Sequence, residues 1–303
     1  MLSHQAVLLS EAVSLLKPGV GKVIVDGTLG GGGHAEALLA QGAVVVGIDR
    51  DPQSLEVASQ SLARFGDRFL PLRGNYADAE TLLRDRRLLP IDGILLDLGI
   101  SSIQLDDPRR GFSFQVDGPL DMRIEPQGPT AAELIAATDE RSLSRILWEF
   151  GEERFARPIA RELKQGAPQT TFAAVEAVKK AVPRRAWPKK IHVATRTFQA
   201  LRIAVNRELE SLDRLLDTLP RLLKVGATAA VISFHSLEDR KVKQRFRALA
   251  AACRCPPGLP VCGCGASSTF NLVTRKAIHA SESELQQNPR ARSARLRAIE
   301  RVR

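Results

Sequence analysis

The sequence predicts an α/β protein with a mostly parallel sheet, interrupted by an all-helical insert. Three observations lead there. Apolar runs at 23–26, 44–49, 69–72 and 91–98 alternate with helical segments, a spacing that means parallel strands joined by right-handed crossovers. From residue 104 to about 206 no strand pattern appears, while helical periodicity recurs. Strand character then returns at 228–234, so the helical stretch reads as an insertion rather than a structureless loop.

Each element has a local reason. A short leading helix at 9–16 is ended by Pro18-Gly19. The first two strands flank Gly27-Thr28-Leu29-Gly30-Gly31-Gly32-Gly33, a strand–glycine loop–helix–strand unit. Residues 52–65 form a helix with Pro52 in its first turn, 75–83 a turn and helix, and 91–98 a buried strand ending at Asp97-Leu98-Gly99. The insert opens with a Gly/Pro loop (Gly111, Gly118, Pro119, Pro126, Gly128, Pro129), and Thr130 to Glu133 is a capping-box pattern. Helices are expected at 142–150, 152–164 and 172–182. The α/β domain is thus 1–105 with 206–303, and the helical domain 106–205.

The glycine loop carries the first chemistry. Without side chains, its backbone N–H groups and the helix N-terminus can approach a ligand closely. Asp49, closing the second strand about twenty residues on, stands where nucleotide-binding α/β folds place a ribose-binding carboxylate. The glycines at 27, 30, 31, 32 and 33 fit no register of G-x-G-x-x-G, which disfavours a dinucleotide and a nicotinamide oxidoreductase. Asp26 would repel a pyrophosphate but suits a ligand with an ammonium and a sulfonium, as in S-adenosylmethionine. The plain alternative is a strand-to-helix turn that needs several glycines. In a parallel sheet ligands bind beyond the carboxyl ends of the strands, so one crevice can collect Asp26, Asp49, Tyr76 and Asp97.

Composition narrows the partner. With 44 Lys+Arg against 34 Asp+Glu in 303 residues, the net charge of +10 favours a polyanion, nucleic acid first, against a merely basic enzyme. No apolar run reaches about 18 residues, and Glu11 interrupts the N-terminal one, so a cytoplasmic protein with no membrane partner is expected. Arg184, Arg185, Lys189, Lys190, Arg196 and Arg202, with Trp187 and His192 among them, suit an RNA backbone and an unstacked base. A solvated helix face is the other reading, and the arginine-rich tail from Arg290 to Arg303 is the next place to look.

Longer blocks carry a resemblance. Asp26-Gly27-Thr28-Leu29-Gly30 through His34, Leu96-Asp97-Leu98-Gly99-Ile100-Ser101-Ser102 with Gln104-Leu105-Asp106, Arg110-Gly111-Phe112-Ser113-Phe114 with Pro119-Leu120-Asp121-Met122-Arg123, Ser233-Phe234-His235-Ser236-Leu237-Glu238-Asp239-Arg240 and Asn288-Pro289-Arg290-Ala291-Arg292-Ser293 resemble the MraW family of bacterial 16S ribosomal RNA cytosine-N4 methyltransferases. The likeness spans nearly the whole chain. It implies a class I S-adenosylmethionine-dependent, Rossmann-like fold with a helical RNA-recognition insert. The implied activity is methylation of the N4 amine of a decoding-centre (P-site) cytidine of 16S rRNA in the small subunit. By position, cofactor contacts fall on Gly32, Gly33, His34, Asp49, Tyr76, Asp97 and Gln104, with Tyr76 where many members have Phe. A homodimer stays open, and a non-catalytic RNA-binding assembly factor is the rival reading.

The chemistry needs an acceptor for a hydrogen of a weakly nucleophilic amine, held in line with an activated methyl, and no metal. Asp97 is the nearest acceptor, although the prolines of the amino-methyltransferase tetrapeptide are missing after it. His235 and Glu238 also fall at a strand end, either as chemistry or as a helix-capping turn before Ser236. Cys253, Cys255, Cys262 and Cys264 suggest zinc before disulfides in a reducing compartment. C-x-C is a poor zinc knuckle, however, and the resemblance implies no metal.

Overall fold

The computed structural model describes residues 6–251 and 268–303, so the four cysteines lie outside the described residues. The chain forms two compact units, residues 1–99 with 210–303 and residues 100–209.

In chain order the first unit begins with α1 (Leu9–Leu16), β1 (Val23–Asp26), α2 (Gly33–Ala40), β2 (Val44–Asp49), α3 (Pro52–Leu62), β3 (Phe69–Arg73), α4 (Ala79–Arg84) and β4 (Ile91–Asp97). Helices α5 (Ser102–Asp106), α6 (Ala131–Ala137), α7 (Glu140–Gly151), α8 (Ala156–Gly166), α9 (Thr171–Ala181) and α10 (Thr195–Asn206) follow. The chain then continues through α11 (Glu208–Leu222), β5 (Leu223–Ser233), α12 (Ser236–Ala250), β6 (Phe270–Leu272), α13 (Glu282–Gln287) and β7 (Arg295–Arg301).

The seven strands make one sheet in the order β3-β2-β1-β4-β5-β7-β6. Strands β1 to β5 pair parallel, and β7 runs antiparallel to both β5 and β6. This is the class I fold that the resemblance implies. Alternate side chains enter two cores: Ile24 and Val45 pack with α1, α2 and α3, while Val25, Val46 and Ile48 pack with α4, α11 and α12. Burial on both faces explains why the strands read as continuous apolar runs. Strand order reverses between β1 and β4, and the crevice beyond their carboxyl ends is the expected ligand position.

Two expectations at the C-terminus and in the insert are corrected. Residues 295–301 are not a tail but an interior strand, with Leu296, Ala298 and Ile299 buried. The expected helix from 152 starts at Ala156, because Glu152 takes φ 49° and closes α7. Within the second unit, α7 packs closely on α10: a Cβ on Gly151 would stand 2.6 Å from the Arg196 carbonyl. The capping box is formed as read, Thr130 Oγ1 accepting from Glu133 N and the Glu133 carboxylate from Thr130 N.

The Arg110–Phe114 and Pro119–Arg123 blocks fold onto the helical core. Phe112, Leu120 and Met122 are buried, Arg123 forks onto Asp121 at 2.8 and 2.7 Å, and Arg110 donates to the carbonyls of Arg123 and Ile124. Asn206 fixes the same loop, donating to the Met122 carbonyl and accepting from Ile124 N.

Candidate active site

The glycine loop is shaped by its backbone. Gly32 sits at φ 84° as the N-cap of α2, a left-handed conformation that side chains resist, and Leu62 lies 3.0 Å from where its Cβ would be. A Cβ on Gly31, by contrast, would meet nothing within 4 Å, so the loop is open to a ligand there. Gly27 is the close approach: a Cβ would collide with Leu96 at 2.6 Å and stand 3.2 Å from Tyr76 Cβ. Tyr76 thereby lies against the loop, on a 3-10 turn capped by Asn75.

Asp49 holds the loop as well as facing it. Its Oδ2 accepts Gly30 N at 2.8 Å and its Oδ1 accepts Asp51 N at 2.9 Å. Burial raises its pKa, against the pull of those backbone donors. An ionised carboxylate has about four acceptor positions, so both oxygens keep capacity for hydroxyl groups.

Asp26 ends β1 almost fully buried, with Oδ1 accepting Thr28 N at 3.2 Å. Burial pushes its pKa up to about 7, with the Asp49 charge adding to the effect. Asp97, two residues beyond the β1 register partner Leu95, ends β4. Its backbone N–H donates to Thr28 Oγ1 at 2.6 Å, and its side-chain Oδ1 is buried with no hydrogen-bond partner among the described residues. Burial, then the charges of Asp26 and Glu238, raise its pKa well above the usual range.

His34, in the first turn of α2, is buried, its Nε2–H donating to the Val7 carbonyl at 3.0 Å. Its Nδ1 is 3.8 Å from Asp97 Oδ2, too long for a hydrogen bond. Gly33 is the first residue of the same helix. His235 is the N-cap of α12: its Nδ1 accepts Glu238 N at 3.4 Å, and Glu238 reaches back to Phe234 N at 2.9 Å. The capping turn before Ser236 is therefore present. On the other side of the ring, His235 Nε2 lies 2.9 Å from Glu238 Oε1.

The carboxyl ends of β1, β2 and β4 thus bring Asp26, Asp49 and Asp97 together beside the glycine loop and Tyr76, and Glu238 is near enough to act on Asp97. Gln104 belongs to the second unit, buried in the capping box of α5 with Ser101. Thr28 was readable only as one letter of the loop. The available signal was a hydroxyl among glycines, which has a hydrogen bond to make.

A family model described as the MraW methylase family matches residues 1–302. The chain belongs to the MraW methylase family. Similar curated relatives include the ribosomal RNA small subunit methyltransferase H of Myxococcus xanthus, 64% identical over 300 residues, 99% of this chain and 98% of that one. The protein of the same name from Anaeromyxobacter sp. is 55% identical across 99% and 98% of the two chains. That from Syntrophotalea carbinolica is 51% identical across 100% and 99%. The methyl donor is S-adenosylmethionine. The residues fit it: strand-end carboxylates offer partners to its cationic groups and ribose, Gly31 leaves room, and the orphaned Asp97 oxygen has an acceptor position to fill.

The basic cluster of the second unit divides. Arg184, Arg185, Lys189 and Lys190 are exposed and have no acidic partner among the described residues. Trp187 is held by its indole N–H to the Val182 carbonyl, with Arg184 over the ring. Arg202 is instead committed to Glu208 by two 2.9 Å bonds, and Arg196 points to the Glu152 carbonyl, so neither belongs to that surface. His192 leans on Phe114 with its Nδ1 accepting Ala194 N. Among the described residues no helix is long and apolar enough to cross a membrane.

Proposed function

We propose that this protein methylates 16S ribosomal RNA of the small subunit at the exocyclic N4 of a P-site cytidine. The observation that carries the reading is the buried, unpartnered Oδ1 of Asp97 at the switch point of the sheet. A cytosine amine is a poor nucleophile until one of its hydrogens is accepted, and a carboxylate with an unused lone pair is suited to that. S-adenosylmethionine supplies an electrophilic methyl group that needs no metal.

The chain's own groups do the rest. Gly33 and the first turn of α2 offer backbone N–H groups, Gly32 shapes the loop with its own N–H donated to the Leu29 carbonyl, Asp49 takes ribose hydroxyls, and Tyr76 faces the adenine. His34 braces the loop beside Asp97. Asp97 is shared between cofactor and amine. His235 caps α12 and orients Glu238, whose charge favours a proton on Asp97 after transfer. The second unit recognises RNA, with the cations Arg184, Arg185, Lys189 and Lys190 meeting phosphates. The names of the curated relatives support the substrate class.

The test is incubation of small subunits with methyl-labelled S-adenosylmethionine, digestion of the RNA and identification of the labelled nucleoside. N4-methylcytidine at one position is expected. Label in another nucleoside, or none, would reject the proposal.

A further inference from the structure

Helix α12 has two charged faces of different character. On one, Lys241 meets Asp213 at 2.5 Å and Arg245 meets Asp217 at 3.0 Å, pairs that tie it to α11. On the other, Lys243 and Arg247 stand one turn apart and line a shallow pocket with Thr274, Arg275 and Arg297. Lys243, Arg247 and Arg275 have no acidic partner at ion-pair distance among the described residues. The carboxylate nearest on that side, Asp239, is spent on Arg297, which forks onto it at 2.7 and 3.2 Å, with Arg295 at 3.4 Å from the same group. Burial opposes its ionisation, but Arg297 holds its pKa below the ordinary value.

Three cations thus line one depression, on the face of α12 opposite the paired Lys241 and Arg245. We propose that Lys243, Arg247 and Arg275 bind the phosphodiester backbone of the RNA substrate, giving the methyltransferase unit its own grip on the polyanion. This rests on the reading of the protein as an RNA methylase. Arg297, locked to Asp239, frames the site and adds no free charge. RNA is favoured over a small phosphate because separate side chains on a helix and a loop can follow successive phosphates, whereas nothing encloses a single ion.

The experiment compares the full-length protein with Lys243→Ala/Arg247→Ala/Arg275→Ala, measuring affinity for 16S RNA as a function of salt, S-adenosylmethionine affinity, and methyl transfer. The salt slope is expected to fall by about two to three units, since each phosphate left without its cation removes about one. KM for RNA should rise at least tenfold while kcat and cofactor affinity stay put. Lys243→Arg/Arg275→Lys should restore the slope, and inorganic phosphate at millimolar concentration should fail to compete with RNA. An unchanged slope in a triple variant that still binds cofactor overturns the site while leaving the methylase reading intact. Competition by millimolar phosphate would overturn it in favour of a small-anion site. Wild-type protein that neither binds nor methylates the RNA would remove both.

Discussion

Thr28 Oγ1 accepts the backbone N–H of Asp97 at 2.6 Å, tying the turn after β1 to the end of β4 at the point where strand order reverses. The bond fixes the backbone from which the orphaned carboxyl oxygen projects. Thr28→Val keeps the shape and removes the acceptor, leaving a buried N–H unpaired at a cost of about 1–3 kcal/mol. Chemical denaturation should show that loss, kcat should fall with it, and Thr28→Ser should recover both. A Val variant of unchanged stability and rate would deny the bond its role.

Asp26 makes stability depend on pH in a defined direction. Its folded-state pKa of about 7 lies above the ordinary 3.8, so between those values the folded chain holds a proton that the unfolded chain has lost. Stability therefore falls as pH rises from about 4 to about 7 and then levels. At about 1.4 kcal/mol per unit, Asp26→Asn should recover roughly 2–4 kcal/mol at pH 8 and little at pH 4. Denaturation curves at the two pH values check this.

Cofactor binding should release protons. A cationic ligand beside Asp26 and Asp97, both raised chiefly by burial, favours their charged forms. Affinity for S-adenosylmethionine should rise between pH 6 and 8. Calorimetry in buffers of different ionisation enthalpy should give net proton release, and uptake would contradict the assignment of these acids to the cofactor crevice.

The exposed segment after α9 supplies a separate prediction. Replacing Arg184, Arg185, Lys189 and Lys190 with Ala should weaken RNA binding and lower its salt slope by up to about four units, one for each phosphate no longer neutralised. Cofactor affinity should not move. Arg202→Ala should instead destabilise the helical unit, because it removes two charge-assisted hydrogen bonds to Glu208, which is mostly buried with it.

The sequence made the α/β core legible because both-face burial turns strands β1, β2 and β4 into apolar runs, and because Gly32 needs its positive φ. The capping box at Thr130 was legible for the same local reason. Strand β7 was not: Arg295, Arg297 and Arg301 read as a charged tail, and Asp239 on α12 with the carbonyls of Pro220, Leu223 and Arg303 make those cations compatible with an interior strand. Tertiary partners distant in sequence override the charge pattern there. Asp97 could be picked as a strand-end acid, but its unused lone pair and the hydroxyl of Thr28 come together only once β1 and β4 pair.

Single-turnover methyl transfer by Asp97→Asn, at saturating S-adenosylmethionine and small subunits, tests the central claim most directly. Asparagine keeps the size but loses the charged acceptor, so transfer to cytosine N4 should slow by about 10²- to 10⁴-fold while RNA affinity is unchanged. A variant that transfers methyl at the wild-type rate under these conditions would contradict the assignment of Asp97 as the group that accepts the amine hydrogen.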